Sequence, residues 1–192
     1  MIPAALVPDS GRAVVLVDGG SGSGKTTLAR LLADAWPGPI EVVSLDSFYP
    51  GWDGLAAASA AVASDVLDPE RPGYRRWDWD AGRPAEWVDL DPTASLIVEG
   101  CGALTPRNRA LATSGVWVVG GPDARRAAAL ARDGEEFAPH WEQWAAQERA
   151  HWRAHRPREL ADWWVVDGRF VPGPGWRRPA RVHQGTVPFR FR

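Results

Sequence analysis

Gly19-Gly20-Ser21-Gly22-Ser23-Gly24-Lys25-Thr26, followed by Thr27, is the stretch that sets the fold of this chain. It conforms in full to G-x-x-x-x-G-K-[ST], a loop that leaves a buried strand, enters a helix and turns its backbone N–H groups onto phosphate oxygens. Both neighbours are in place. Ala13 to Val17 is an unbroken, valine-rich apolar run, short enough for a strand buried on both faces. Thr26 to Ala35 carries Leu28, Leu31, Leu32 and Ala35 at helical spacing, until Pro37 and Gly38 end the pattern.

Each position of the loop answers a charge. Gly19, Gly20, Gly22 and Gly24 leave room for the backbone of Ser21 and Ser23 to approach a phosphate closely, and the helix opening at Lys25 adds its positive end. The spacing assigns Lys25 to the β- and γ-phosphates and Thr26 to a Mg²⁺ ion, so that ATP and Mg²⁺ are the expected ligands of Gly19 to Thr27. Composition supports the assignment of Lys25. The 22 basic residues comprise 21 arginines and a single lysine, which is Lys25. In a chain that uses arginine elsewhere, a lysine kept at this position points to a cradle that admits a compact ammonium and not a planar guanidinium.

Outward from the loop, Ile40 to Leu45, Ser95 to Val98, Val116 to Val119 and Trp163 to Val166 read as four more buried strands. Helical patterns separate them: Leu55, Ala58, Val62 and Val66 in one segment, Ala124 to Ala131 in another. The alternation predicts a three-layer α/β fold around a five-stranded parallel sheet with right-handed crossovers. Ligands of such sheets gather at the carboxyl ends of the strands, where Asp18, Asp46, Glu99 and Asp167 fall. Residues 68–92, rich in Pro, Gly, charge and tryptophan, are too long for a plain connection and read as an acceptor-binding excursion or lid. Residues 168–192 hold six arginines and no acid. They read as a tail or as an edge hairpin formed by 180–182 and 187–191.

The whole chain excludes several function classes. At 192 residues it fits one domain with one continuous core. Its net charge of −2, with no long run of one sign, argues against a nucleic-acid footprint or a polybasic membrane anchor. Cys101 is the single cysteine, which rules out an intrachain disulfide and fits a reducing compartment. The first residues carry no basic region ahead of an apolar run, and no stretch approaches the ~20 apolar residues of a membrane span. The expectation is a cytoplasmic protein acting on small molecules. The N-K-x-D element by which switch GTPases read guanine is absent, because Lys25 is already in the loop.

Three stretches together resemble the uridine kinase group of P-loop kinases, with its phosphoribulokinase and pantothenate kinase relatives: GGSGSGKTT at Gly19 to Thr27, SLDSFY at Ser44 to Tyr49, and LIVEGCGAL at Leu96 to Leu104. They occur in the family's order, and a weaker likeness continues through ARD at Ala131 to Asp133 as far as Gly168. The resemblance implies transfer of the γ-phosphate of ATP to a hydroxyl of a small molecule, with a nucleoside such as uridine or cytidine as the leading acceptor.

The resemblance also implies residue roles. Asp46 would accept the proton of the attacking hydroxyl, a role the chemistry of phosphoryl transfer independently favours at a strand's carboxyl end beside the loop. The alternative for Asp46 is a cap on the turn that follows. Glu99 would orient Mg²⁺ or its waters, Tyr49 would lie at the acceptor, and Asp78 could take a ribose diol. Arg125, Arg126 and Arg132 fall where such kinases place lid arginines, and Arg132, within the Ala-Arg-Asp match, fits best. Phe137, Trp141, Trp144 and Trp152 share a helical stripe that reads as core. His151 and His155, four apart with no third ligand, read as solvated helix residues.

Overall fold

The computed structural model describes residues 2–3, 6–7 and 11–176. From the N-terminus the elements are β1 (Val14–Asp18), α1 (Lys25–Asp34), β2 (Ile40–Ser44), α2 (Leu55–Ala61), the hairpin β3 (Gly73–Asp78) and β4 (Arg83–Asp89), and β5 (Ser95–Glu99). Then come α3 (Pro106–Ala110), β6 (Ser114–Val118), α4 (Pro122–Phe137), α5 (Trp141–His155), α6 (Pro157–Leu160), β7 (Trp163–Val166) and β8 (Arg169–Pro172).

Six strands form the main sheet in the order β2-β5-β1-β6-β7-β8. The first five run parallel, with β1 flanked by β5 and β6. The expected five-stranded parallel sheet is therefore present, extended by a sixth strand that pairs antiparallel with β7. Asp167 and Gly168 join β7 to β8 with φ values of 47° and 71°. A two-residue loop with both φ positive matches the right-handed twist of paired strands, and Asp-Gly adopts it readily. The segment after Val166 thus begins as an edge strand. The hairpin expected at 180–182 and 187–191 lies outside the described residues.

The sheet is covered on both faces, which is why its strands read as continuous apolar runs. Along β1, Val15 and Val17 pack with Leu28, Ala29 and Leu32 of α1. Val14 and Leu16 face the opposite layer, where Leu55 and Ala58 of α2, Ala129 of α4 and Trp141 and Trp144 of α5 lie. This alternation is the strand's two-residue period expressed in a fully buried setting. Residues 68–92 are centred on the separate β3–β4 hairpin. Among the described residues no helix is long and apolar enough to cross a membrane.

Candidate active site

The glycine loop leaves β1 at the centre of the sheet and enters α1 with Gly24 as N-cap at φ 90°. Two of its glycines are required by close approach. A Cβ on Gly19 would collide with the Val118 carbonyl, and one on Gly22 with the Arg125 carbonyl. Ser23 N–H closes a turn on Gly20 O at 3.1 Å. Among the described residues the N–H groups of Gly22, Gly24, Lys25 and Thr26 have no protein acceptor, and the buried hydroxyl of Ser23 has no partner. Converging donors of this kind fit an anionic phosphate.

Lys25 is buried, and its Nζ donates to Gly20 O at 3.1 Å and to Cys101 Sγ at 3.4 Å. Burial alone would lower its pKa, yet Cys101 and then the Glu99, Asp46 and Glu148 carboxylates around it outweigh burial and leave it raised. It is a cation at neutral pH. Burial pushes the Cys101 thiol up to about 12, so it stays protonated and can donate to Gly19 O at 3.3 Å. Asp18, at the end of β1, accepts from the N–H groups of Gly19, Gly102 and Leu104, tying the start of the loop to the segment after β5.

Glu99 ends β5 beside the loop. Its Oε1 accepts from Thr26 Oγ1 at 3.0 Å and from Ser44 Oγ at 2.8 Å, which places a hydroxyl and a carboxylate side by side where the sheet ends. No cluster of three or more His, Cys, Asp or Glu side chains suited to a metal occurs among the described residues. Mg²⁺ does not call for one, since it is commonly held by one or two carboxylates together with phosphate oxygens and water. Thr26 and Glu99 fit that donor set.

Asp46 follows β2 in a single 3₁₀ turn, Leu45–Ser47. Its carboxylate lines a cavity of about 700 Å³ with Ser21, Thr26, Glu136, Arg132 and an aromatic wall. It does not cap the turn; the side chain is open to the cavity while protein crowds its other sides. That crowding raises its pKa above the ordinary carboxylate value, Lys25 opposes the rise and Glu99 adds to it.

The aromatic wall comes from three segments. Trp52, Trp79 and Trp144 line the cavity with Tyr49 and Phe137, and Trp52 lies 4.9 Å from Trp79. Tyr49 contributes its ring; its hydroxyl is committed to Cys101 O at 2.8 Å. Arg132 lines the cavity and is paired with Asp133 at 2.6 Å. Asp78 is placed differently from the expected ribose ligand. Its Oδ1 accepts from Ala81 N–H at 3.0 Å, holding the hairpin turn, and its neighbour Trp79 lines the cavity instead.

Other residues gain roles that sequence reasoning did not assign. Arg125, read with Arg126 as a lid candidate, lies directly on the loop and donates to Ser21 O at 3.1 Å. Glu148 of α5 is 2% exposed and accepts from Ser21 N–H at 2.6 Å. A buried carboxylate left unpaired costs several kcal/mol, and Glu148 is paired with Arg125 at 3.3 Å as well. The signal was its position: Trp141, Trp144, Glu148 and His151 form one buried stripe of α5. His151 is accordingly no solvated residue. It is 6% exposed, with Nε2 3.2 Å from Leu104 O, because α5 turns this face into the core.

A second cavity, about 320 Å³, flanks the loop on its other side, lined by Thr27, Val119, Asp167 and Gly168 among others.

No protein-family profile matches the sequence. Solved structures do. The "putative fructose transport system kinase" of Silicibacter sp. TM1040 superposes with a TM-score of 0.55 at 22% identity, over 79% of this chain and 90% of that one. The "possible uridine kinase" of Bacillus stearothermophilus does so with a TM-score of 0.54 at 18% identity, over 81% and 89%. With helices on both faces of a mostly parallel sheet and the glycine loop at the end of its inner strand β1, this chain has the P-loop kinase fold.

Proposed function

We propose that this protein is an ATP- and Mg²⁺-dependent kinase that phosphorylates a hydroxyl of a small molecule, with a nucleoside as the leading acceptor. The observation that carries the reading is that Thr26 and Asp46 line one cavity, with Glu99 bonded to Thr26 and the Lys25 ammonium close enough to act on Asp46. A protein that only binds nucleotide has no use for a carboxylate facing a separate cavity on the γ-phosphate side of its loop.

In this reading the loop N–H groups and Lys25 bind the β- and γ-phosphates. Thr26 and Glu99 would hold Mg²⁺, which would neutralise charge on the phosphates when bound. Asp46 takes the proton from the acceptor hydroxyl as it attacks in line, and Arg132 lies close enough to the cavity to balance charge on the moving phosphoryl group. The nucleoside part of ATP lies toward the cavity at Thr27, Val119 and Asp167.

The acceptor follows from the cavity wall. Trp79 offers flat apolar surface for a base, while Glu136 offers a carboxylate for a diol. An anionic acceptor would have to draw on Arg30 or Arg132, which line the cavity, and not on the arginines of the β3–β4 hairpin. Arg75 is bonded to Ala85 O and lies over Trp87, and Arg76 is paired with Glu86, so neither lines the cavity. Incubation with ATP, Mg²⁺ and a panel of nucleosides, sugars and phosphorylated acceptors, read as ADP formed and product mass, tests the assignment. Turnover confined to anionic acceptors would refute the nucleoside while leaving the loop and Asp46 in their roles.

A further inference from the structure

Glu148 reaches the phosphate loop from its buried side, and direct phosphoryl transfer at the cavity makes no use of it. Its Oε1 accepts from Ser21 N–H at 2.6 Å, and its Oε2 lies 3.3 Å from Arg125 Nη1. The same arginine nitrogen donates to Ser21 O at 3.1 Å. Both main-chain polar groups of Ser21 are therefore held from outside the loop, one by α5 and one by α4. The Arg125 guanidinium is itself fixed against the Trp152 ring, 5.5 Å from its centroid.

Trans peptide planarity turns these two bonds into a statement about the ligand side. The N–H and C=O of one peptide unit point in opposite directions. Fixing Ser21 N–H on Glu148 aims Gly20 O the other way, where it receives Lys25 Nζ at 3.1 Å. Fixing Ser21 O on Arg125 aims Gly22 N–H away from Arg125, as one of the donors without a protein partner. In a segment this rich in glycine, either peptide unit could otherwise turn over and present a carbonyl where a phosphate must sit.

From this geometry we infer that Glu148, acting through Ser21 N–H and Arg125, is a positioning residue that sets the phosphate loop and Lys25 in their nucleotide-receiving arrangement before nucleotide arrives. The inference rests on the kinase reading above. A loop ordered in advance spares nucleotide binding the entropy loss of ordering it. Glu148 thus acts on ATP through the main chain of the loop and does not itself line the acceptor cavity.

The test compares the full-length protein with Glu148→Ala, Glu148→Gln and Arg125→Ala. Calorimetry measures binding of a non-hydrolysable ATP analogue with Mg²⁺, and steady-state kinetics varies ATP and acceptor separately. Glu148→Ala should weaken analogue binding and raise KM for ATP by about tenfold or more, as expected for losing a hydrogen bond to a charged group. KM for the acceptor should change by less than about twofold. Glu148→Gln keeps an amide oxygen for Ser21 N–H but turns its NH2 toward Arg125, so it should recover part of the loss. Arg125→Ala should move KM for ATP in the same direction, and it carries the test together with Glu148→Gln if Glu148→Ala does not fold. Folded variants that bind the analogue as tightly as wild type would overturn the inference. So would equal losses toward ATP and acceptor that follow a fall in melting temperature, or a Glu148→Gln variant as impaired as Glu148→Ala. A wild-type protein that fails to bind the analogue would overturn the kinase reading itself, a result distinct from all of these.

Discussion

Trp79 Nε1 donates a 2.9 Å hydrogen bond to the main-chain carbonyl of Asp46, fastening the turn of the β3–β4 hairpin to the turn that carries the candidate base. The aromatic wall of the cavity and the candidate base are thus joined by one contact between segments 33 residues apart. Trp79 nevertheless keeps 37% of its surface exposed at the cavity, area that a flat acceptor would cover.

Trp79→Ala should therefore raise KM for the acceptor about ten- to a hundredfold, the usual effect of removing a stacking aromatic. KM for ATP should stay within about twofold of wild type. Trp79→Phe, which keeps a ring but loses the indole N–H, should fall between. Initial rates with each substrate varied in turn check this, and unchanged acceptor KM in Trp79→Ala would remove Trp79 from the acceptor site.

Asp46→Asn should bind ATP normally and turn over about 10²–10⁴-fold more slowly, the range for loss of a positioned general base. The pH profile gives a second check. A base must be deprotonated to act, and the pKa of Asp46 is raised by the protein crowded around its cavity-facing side chain, so wild-type turnover should fall on the acid side at a pH above that of an ordinary carboxylate. That limb should vanish in Asp46→Asn. Lost ATP affinity with undiminished turnover of bound substrate would make Asp46 a binding residue instead.

Much of this arrangement is legible in the residues alone. The five parallel strands are continuous apolar runs because both faces of the sheet are covered, and the loop between β1 and α1 carries its own motif. The sixth strand was missed although Asp167-Gly168 is a strong hairpin signal, because Arg169–Pro172 is a mostly exposed edge with little apolar pattern to mark it. Asp78 and Trp79 show a different limit. The β3–β4 register shifts between Arg75 and Trp77, and such an irregularity exchanges which residues face which side. Glu148 illustrates a signal present but unread, since an acid within a tryptophan stripe must find a partner once buried.

Lys25→Ala should abolish ATP-dependent turnover, and Lys25→Arg should be severely impaired rather than conservative. The ammonium is buried between Gly20 O and Cys101 Sγ, and a guanidinium there would displace the loop it is meant to serve. Turnover assays on both variants check this. Normal activity of Lys25→Arg would show that the cradle tolerates a planar cation.

Stability should report on His151. Burial and His155 push its pKa down to about 4, against the opposing effect of its contact with Leu104 O. Above about pH 6.5 both folded and unfolded states hold it neutral. As pH falls from about 6.5 toward 4, the unfolded chain takes up a proton that the folded chain refuses, so stability is lost across that window. Relative to His151→Gln, the wild type should lose up to about 3 kcal/mol there, read from urea unfolding at each pH. A wild-type-minus-variant difference that stays flat from pH 7 to 4 would contradict the burial of a neutral imidazole.

The most direct measurement of the central claim is transfer itself: ATP labelled in its γ-phosphate, Mg²⁺ and uridine or cytidine, with products separated and weighed by mass spectrometry. The expected result is labelled nucleoside 5′-monophosphate in equal amount to ADP, abolished by Lys25→Ala and greatly slowed by Asp46→Asn. ATP bound at the loop without phosphate passing to any hydroxyl acceptor of a broad panel would contradict the kinase assignment.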